Sequence, residues 1–440
     1  MPLRKPVQKK QPSNVYRRRA PGTPSAKPST FSTEQNLACA IKAQCGACKY
    51  VNDPYETGLN EKYQHGLGIL KDTGVVGSCR LTPPQKSPRT LEYRSLFKLA
   101  VRPVGPGEPA VVSFPSGFEY PNRFNIGLFH PGTHDVVSME GCPLHTWPLK
   151  RVLRDLRVEL NLSQLTPYNE QTGAGDVRYV AARAAHLTGE IILTLVVTDP
   201  AKKGDLRKVS EALQRRDHRI TSTYMNIHTE NNNAIFGGET QRIAGADRLR
   251  ERICDLDFEI GPTSFFQINP WQAINLYRRV EHFAGPASGE EVAWDLFCGT
   301  GQMALILAQA GYRVLGIEEN PAAIADAESN ARKNKLSDRT HFIAARVEDS
   351  MAMIPESHML PSLIIVNPSR RGLAASTREH LASLMKLNPR CRVLYVSCEV
   401  ETLARDLKDL LVPGFQLRQL EAFDMFPQTT NMEWLALIAP

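Results

Sequence analysis

The spacing of apolar residues divides this chain in two. Up to about residue 258, short apolar runs alternate with polar loops. Glu190–Val197 (EIILTLVV) is almost continuously apolar and reads as a buried strand. Leu206, Val209 and Leu213 fall on one face of a helix over 206–214. From about residue 259, strand and helix patterns alternate. Strands are predicted at Val292–Phe297, Arg313–Ile317, Leu363–Val366 and Arg392–Val396. Helices are predicted at Gln302–Gln309, Pro321–Lys333 and Glu401–Leu411, the last with Leu403, Leu407 and Leu410 on one face. Such alternation argues for an α/β domain built on a parallel, doubly wound sheet. The chain shows no internal repeat.

Composition adds an outline of class. A chain of 440 residues, 42% of them hydrophobic, suits two packed domains. It has no run of eighteen apolar residues to cross a membrane, and no apolar signal segment near its start. The net charge is +7, and residues 1–30 hold eight Lys/Arg, no acid and six prolines. The remainder carries −1, so the charge is a property of the tail. Residues 1–33 are expected to be a disordered basic tail, either solvated or facing a polyanion. Nine cysteines is an odd number for a disulfide framework, and Cys254, Cys298, Cys391 and Cys398 fall in or beside the α/β segments. A reducing, cytoplasmic compartment fits that usage.

Three groups of residues carry chemistry. Gly299-x-Gly301-x-x-Ala304 follows a strand and opens a helix, and Glu318 ends the next strand. Glycines there let backbone approach a ligand, and the acid can hold ribose hydroxyls, as in NAD enzymes and methyltransferases alike. Cys398 stands between a strand and a helix, where a helix N-terminus can lower a thiol pKa. Glu433, 35 residues later, lies in the apolar run Met432–Ile438, where desolvation raises a carboxyl pKa. Cys39-x5-Cys45-x2-Cys48 has metal-ligand spacing and needs a fourth thiolate, from Cys142 or from Cys79. Zinc held by four cysteines is allowed by the spacing, and so are free thiols.

The sequence resembles the RNA uracil-5-methyltransferases over most of residues 35–440. The resemblance rests on Gly261–Pro270 (GPTSFFQINP), Asp295–Gly301 (DLFCGTG), Gly316-Ile317-Glu318, Asn367-Pro368-x-Arg370-Arg371-Gly372, Ser397-Cys398 and Asp424–Glu433, in family order. It implies a class I, Rossmann-like methyltransferase domain over 259–440 and an N-terminal mixed α+β RNA-binding lobe over 34–258. It implies Cys398 as nucleophile and Glu433 as general base. Contacts to S-adenosylmethionine carry over to Gln267, Phe297, Glu318 and Asn367. Cys39, Cys45, Cys48 and Cys142 would hold a [4Fe–4S] cluster. Thr166–Asn169, Arg178-Tyr179 and Asp424–Pro427 are similar to the branch that modifies 23S rRNA. The implied protein is a monomeric cytoplasmic enzyme acting on 23S rRNA, with no obligate protein partner. Ser369 replaces a family proline, and Arg346 stands where the family has Asn or Asp. Other readings stay open: a uracil-5-methyltransferase acting on tRNA or on another rRNA site, an NAD(P)-dependent oxidoreductase with structural zinc, and a non-catalytic RNA-binding protein on a relic fold.

Overall fold

The central strands of the C-terminal half are apolar at nearly every position, because both of their faces are covered. Leu363–Val366 (LIIV) is buried throughout. The computed structural model describes residues 39–113 and 117–440. The basic tail expected over 1–33 lies outside the described residues, which belong to one compact unit.

An eight-stranded sheet is built from β1 (Arg80–Leu81), β2 (Val292–Leu296), β3 (Arg313–Glu318), β4 (Thr340–Ala344), β5 (Leu363–Val366), β6 (Arg392–Ser397), β7 (Gln416–Phe423) and β8 (Glu433–Ala439). Its order is β1-β7-β8-β6-β5-β2-β3-β4. Pairing is parallel from β4 to β6, and β8 is antiparallel to both β6 and β7. The expectation of a purely parallel sheet is therefore corrected at one strand. A hairpin joins β7 to β8, so β8 must run backwards.

Successive side chains of each strand enter two different cores. Trp294, Leu296, Ile364, Val366, Val393 and Tyr395 face Leu59, Leu67, Leu381, Leu403 and Leu407. Those partners come from α1 (Tyr55–Asp72), α7 (Ala375–Leu387) and α8 (Val400–Leu410). Ala293, Leu363, Ile365, Leu394 and Val396 face Leu276, Val280, Leu305 and Leu307 on the other side. These belong to α4 (Pro270–Ala284) and α5 (Gln302–Gln309). The helix α6 (Pro321–Lys333) completes the crossover from β3 to β4. Asn269 caps α4 by accepting from the Gln272 N–H, with Pro270 in the first turn, and Asn320 with Pro321 does the same for α6.

A second sheet has seven strands, in the order 239–245, 220–227, 191–197, 177–184, 96–103, 124–129, 136–138. One of its faces packs on α2 (Trp147–Leu162) and α3 (Lys203–Arg216). The predicted strand at 190–197 and helix at 206–214 are both present here. Residues 39–90 are shared between the two sheets, with Cys45 and Cys48 packing on one core and Leu59, Leu67 and Leu70 in the other. β1 pairs with β7, and α1 lies against β8, where Tyr63 stacks on Trp434 at 5.8 Å. A Cβ at Gly66 would stand 2.5 Å from the Trp434 ring, so only glycine permits this approach.

Candidate active site

Strand register gathers the candidate residues at one edge of the sheet. Leu296 is level with Ile317 and with Val366. The next residues outward are Phe297, Glu318 and Asn367, on three neighbouring strands at their carboxyl ends. One strand further, Ser397 of β6 is level with Trp434 of β8. Because the pair is antiparallel, the next step outward sets Cys398 opposite Glu433. Val366 is level with Tyr395, so Asn367 is level with Val396, and Cys398 projects two residues further out than the row of Phe297, Glu318 and Asn367.

The loop after β2 turns sharply. Phe297, Gly299 and Gly301 all have left-handed φ, of 64°, 55° and 84°. A Cβ at Gly301 would stand 3.2 Å from the Ala327 Cβ, so α6 also constrains that position. Glu318 Oε2 accepts from the Gly299 N–H (3.2 Å) and Oε1 from the Asn320 N–H (3.0 Å), which orients its carboxylate beside the loop. Asp295 does a different job. It is buried, its Oδ2 accepts from the Ala304 N–H at 2.8 Å, and burial pushes its carboxyl up to about 7. It ties the first turn of α5 to β2. The Asn367 N–H donates to the Leu296 carbonyl. Gln267 is buried in the segment before α4, which is fixed at Ser264 by Asp326 (2.6 Å) and at Ile268 by Ser95 (2.8 Å). The register does not bring Gln267 into the row.

At the pair of Cys398 and Glu433, burial dominates the electrostatics. Cys398 is pushed up to about 11, first by desolvation and then by the Glu433 charge, with Arg370 opposing. The expectation that the start of α8 lowers this thiol is corrected. Desolvation and the charges of Glu433 and Glu399 oppose ionisation there. Glu433 is 3% exposed and pushed up to about 8 by desolvation, again with Arg370 opposing. Thiol and carboxyl therefore resist being anionic together, and Arg370 favours one negative charge between them. Arg370 was visible in the sequence motif, but spacing along the chain gave it no link to either group. Cys298 is fully buried beside Asp295 and Glu318, with burial raising its thiol strongly, and Cys391 is also buried. Neither lies opposite Glu433.

The cysteine group can be read the same way. Cys142 is buried in the core of the seven-stranded sheet, and Cys45 and Cys48 pack against that core. Cys79 packs against the other core. Cys48 is pushed up to about 12 by burial first, then by Cys142, with Cys45 and Cys39 adding and Arg94 opposing. Four unpaired thiols thus share one neighbourhood. Among the described residues no three His, Cys, Asp or Glu side chains form a ready-made metal site, and no helix is long and apolar enough to cross a membrane.

Known proteins resemble this chain over most of its length. A family model described as tRNA (Uracil-5-)-methyltransferase matches residues 247–439. A protein of Enterococcus faecalis named as an uncharacterized RNA methyltransferase is 32% identical over 317 residues, covering 72% of this chain and 68% of its own. One of the same description from Listeria monocytogenes is 30% identical over 403 residues, covering 91% and 83%. One from Bacillus cereus is 29% identical over 407 residues, covering 92% and 84%. The solved Pyrococcus abyssi tRNA (uracil-54, C5)-methyltransferase, in complex with S-adenosyl-L-homocysteine, has a TM-score of 0.67 and 24% identity. It covers 88% of this chain and 84% of its own, and that likeness shows the Rossmann-like methyltransferase fold.

The raised carboxyl predicts a pH-dependent stability. Glu433 titrates at about 8 when folded against an ordinary 4.5. Between those values the folded state keeps a proton that the unfolded chain has lost, so stability falls as pH rises through this window. Glu433→Gln removes that penalty, worth at most several kcal/mol at about 1.4 per pKa unit. Its gain in melting temperature over the parent should be small at pH 5 and grow up to pH 8. A gain that does not change with pH would show that Glu433 titrates normally.

Proposed function

The chain belongs to the RNA uracil-5-methyltransferase family, and on that premise we propose that it methylates C5 of a uridine in 23S rRNA. The methyl donor is S-adenosylmethionine, which supplies an electrophilic methyl on a sulfonium. The observation that carries the reading is the pairing of Cys398 with Glu433 across β6 and β8.

C5 of uracil is a weak nucleophile. Cys398, as thiolate, adds to C6 and makes C5 enolate-like, and C5 then accepts the methyl group. Glu433, as carboxylate, removes the proton left on C5. The C–H electron pair restores the C5–C6 double bond, the C6–S bond breaks and the thiolate returns. Arg370 supports whichever of the two groups is anionic. The donor is held by Gln267, Phe297, Glu318 and Asn367, with Glu318 taking ribose hydroxyls. The bound uridine must be turned out of its stack to reach Cys398. A tRNA uridine is the competing substrate, since both the matching family model and the P. abyssi enzyme are named for tRNA.

The four cysteines suit a structural [4Fe–4S] cluster. Cys39, Cys45, Cys48 and Cys142 supply thiolates only, and a bound cation would offset the burial, and after it the mutual repulsion, that raise Cys48. Backbone N–H groups of Leu144 and His145 point at the Cys142 sulfur. No electron is needed in the methyl transfer, so the role is to hold the lobe together. Protein purified without oxygen should be brown and contain roughly four irons. Cys142→Ser should lose them and Cys79→Ser should keep them. Stoichiometric zinc in colourless protein contradicts the assignment.

The catalytic roles separate on mutation. With S-adenosylmethionine, 23S rRNA should release S-adenosylhomocysteine and tRNA should not; the reverse result moves the substrate to tRNA. Cys398→Ala should abolish turnover and give no covalent species. Glu433→Gln should attack and methylate but stall, leaving a methylated protein–RNA adduct that survives a denaturing gel. Normal turnover by Glu433→Gln would place the base elsewhere.

A further inference from the structure

The loop that delivers Glu433 is held from inside by a lysine. Residues 424–432 join β7 to β8, and Glu433 is the first residue of β8. Lys62 of α1 reaches into this loop with its side chain 3% exposed. Its ammonium lies 2.5 Å from Asp424 Oδ1 and donates toward the carbonyls of Phe426 (3.2 Å), Thr429 (3.4 Å) and Asn431 (3.2 Å). Its three donors thus serve four acceptors along the whole loop. Asn431, the last of them, is two residues from Glu433. The loop includes Gln428 at a left-handed φ of 70°.

Stability alone does not account for an ammonium here. Burial pushes Lys62 down and Asp424 up, each offset in part by its partner. An apolar pair of similar volume is often as stable as a buried ion pair. What an apolar side chain lacks is several directed donors at one point, able to gather carbonyls from distant positions of a loop. Lys62 is also well anchored, since its neighbour Tyr63 stacks on Trp434, the residue after Glu433.

We propose that Lys62 is a positioning residue for proton removal, fixing Glu433 opposite Cys398 by holding the 424–431 backbone in one conformation. This rests on the reading of Glu433 as the base. Asp424 is accordingly the partner of Lys62 and not a second base.

The test is the double variant Lys62→Met/Asp424→Asn, which removes both buried charges and so leaves neither stranded. Its fold is checked by circular dichroism and melting. Two readouts follow. With rRNA and S-adenosylmethionine, the covalent adduct should form at close to the parent rate but resolve more slowly, by about 10-fold to 100-fold for a base displaced by roughly 1 Å. In the free protein, the carbon-13 titration of the Glu433 carboxyl, assigned with Glu433→Gln, should move down toward the ordinary carboxylate range as water reaches it. An unchanged Glu433 titration together with parent-like resolution overturns the proposal. So does an equal fall in adduct formation and resolution, which marks a structural role only. If the parent protein forms no adduct with any RNA, the functional reading fails. The titration then decides alone: a downward shift supports positioning by Lys62, and an unchanged value overturns it.

Discussion

The antiparallel register of β8 against β6 is the constraint on which the site depends. A parallel sheet brings strand ends to one edge, but it separates successive ends by a crossover. Here the last strand runs backwards, so its first residue arrives where β6 finishes. A thiol and a carboxyl 35 residues apart in sequence become direct neighbours. The apolar residues that cement β8 also strip water from Glu433, which is why its proton is held so firmly.

That register is secured by the N-terminal segment. α1 covers β8 through Tyr63 and Gly66, β1 extends the sheet beside β7, and Lys62 fills the loop between β7 and β8. The Tyr50 N–H donates to the Gln428 carbonyl and the Tyr93 hydroxyl to the Pro427 carbonyl. Tyr50 and Tyr93 lie close to the cysteine group, in sequence and in electrostatic reach respectively. The segment that begins with the cysteines therefore shapes the loop that carries Glu433.

Much of the α/β half was legible because its signals are local. Gln302–Gln309, Pro321–Lys333 and Leu363–Val366 occur with the bounds their patterns predicted. The pattern of α1 is faint in the sequence, since Gly58, Gly66 and Gly68 dilute it. Its signal was nevertheless there in Leu59, Tyr63, Leu67 and Leu70, which form one buried face. α2 carries no glycine, and its stripe of Leu149, Val152, Leu153, Leu156 and Leu160 is a helical signal of the same kind. The roles of Arg370 and Lys62 are tertiary facts that no spacing reveals. The Cys398 shift runs opposite to the sequence expectation, because a helix terminus is visible in sequence whereas burial and the Glu433 charge are not.

The most direct measurement uses the unaltered protein and an RNA carrying 5-fluorouridine at the target position. Fluorine at C5 leaves no proton for Glu433 to remove, so the reaction should halt after methyl transfer. Peptide mass spectrometry should then find a methylated fluoronucleotide bound to the sulfur of Cys398. A nucleotide attached to Cys298 or Cys391, or methylation that proceeds with no covalent species, would contradict the account.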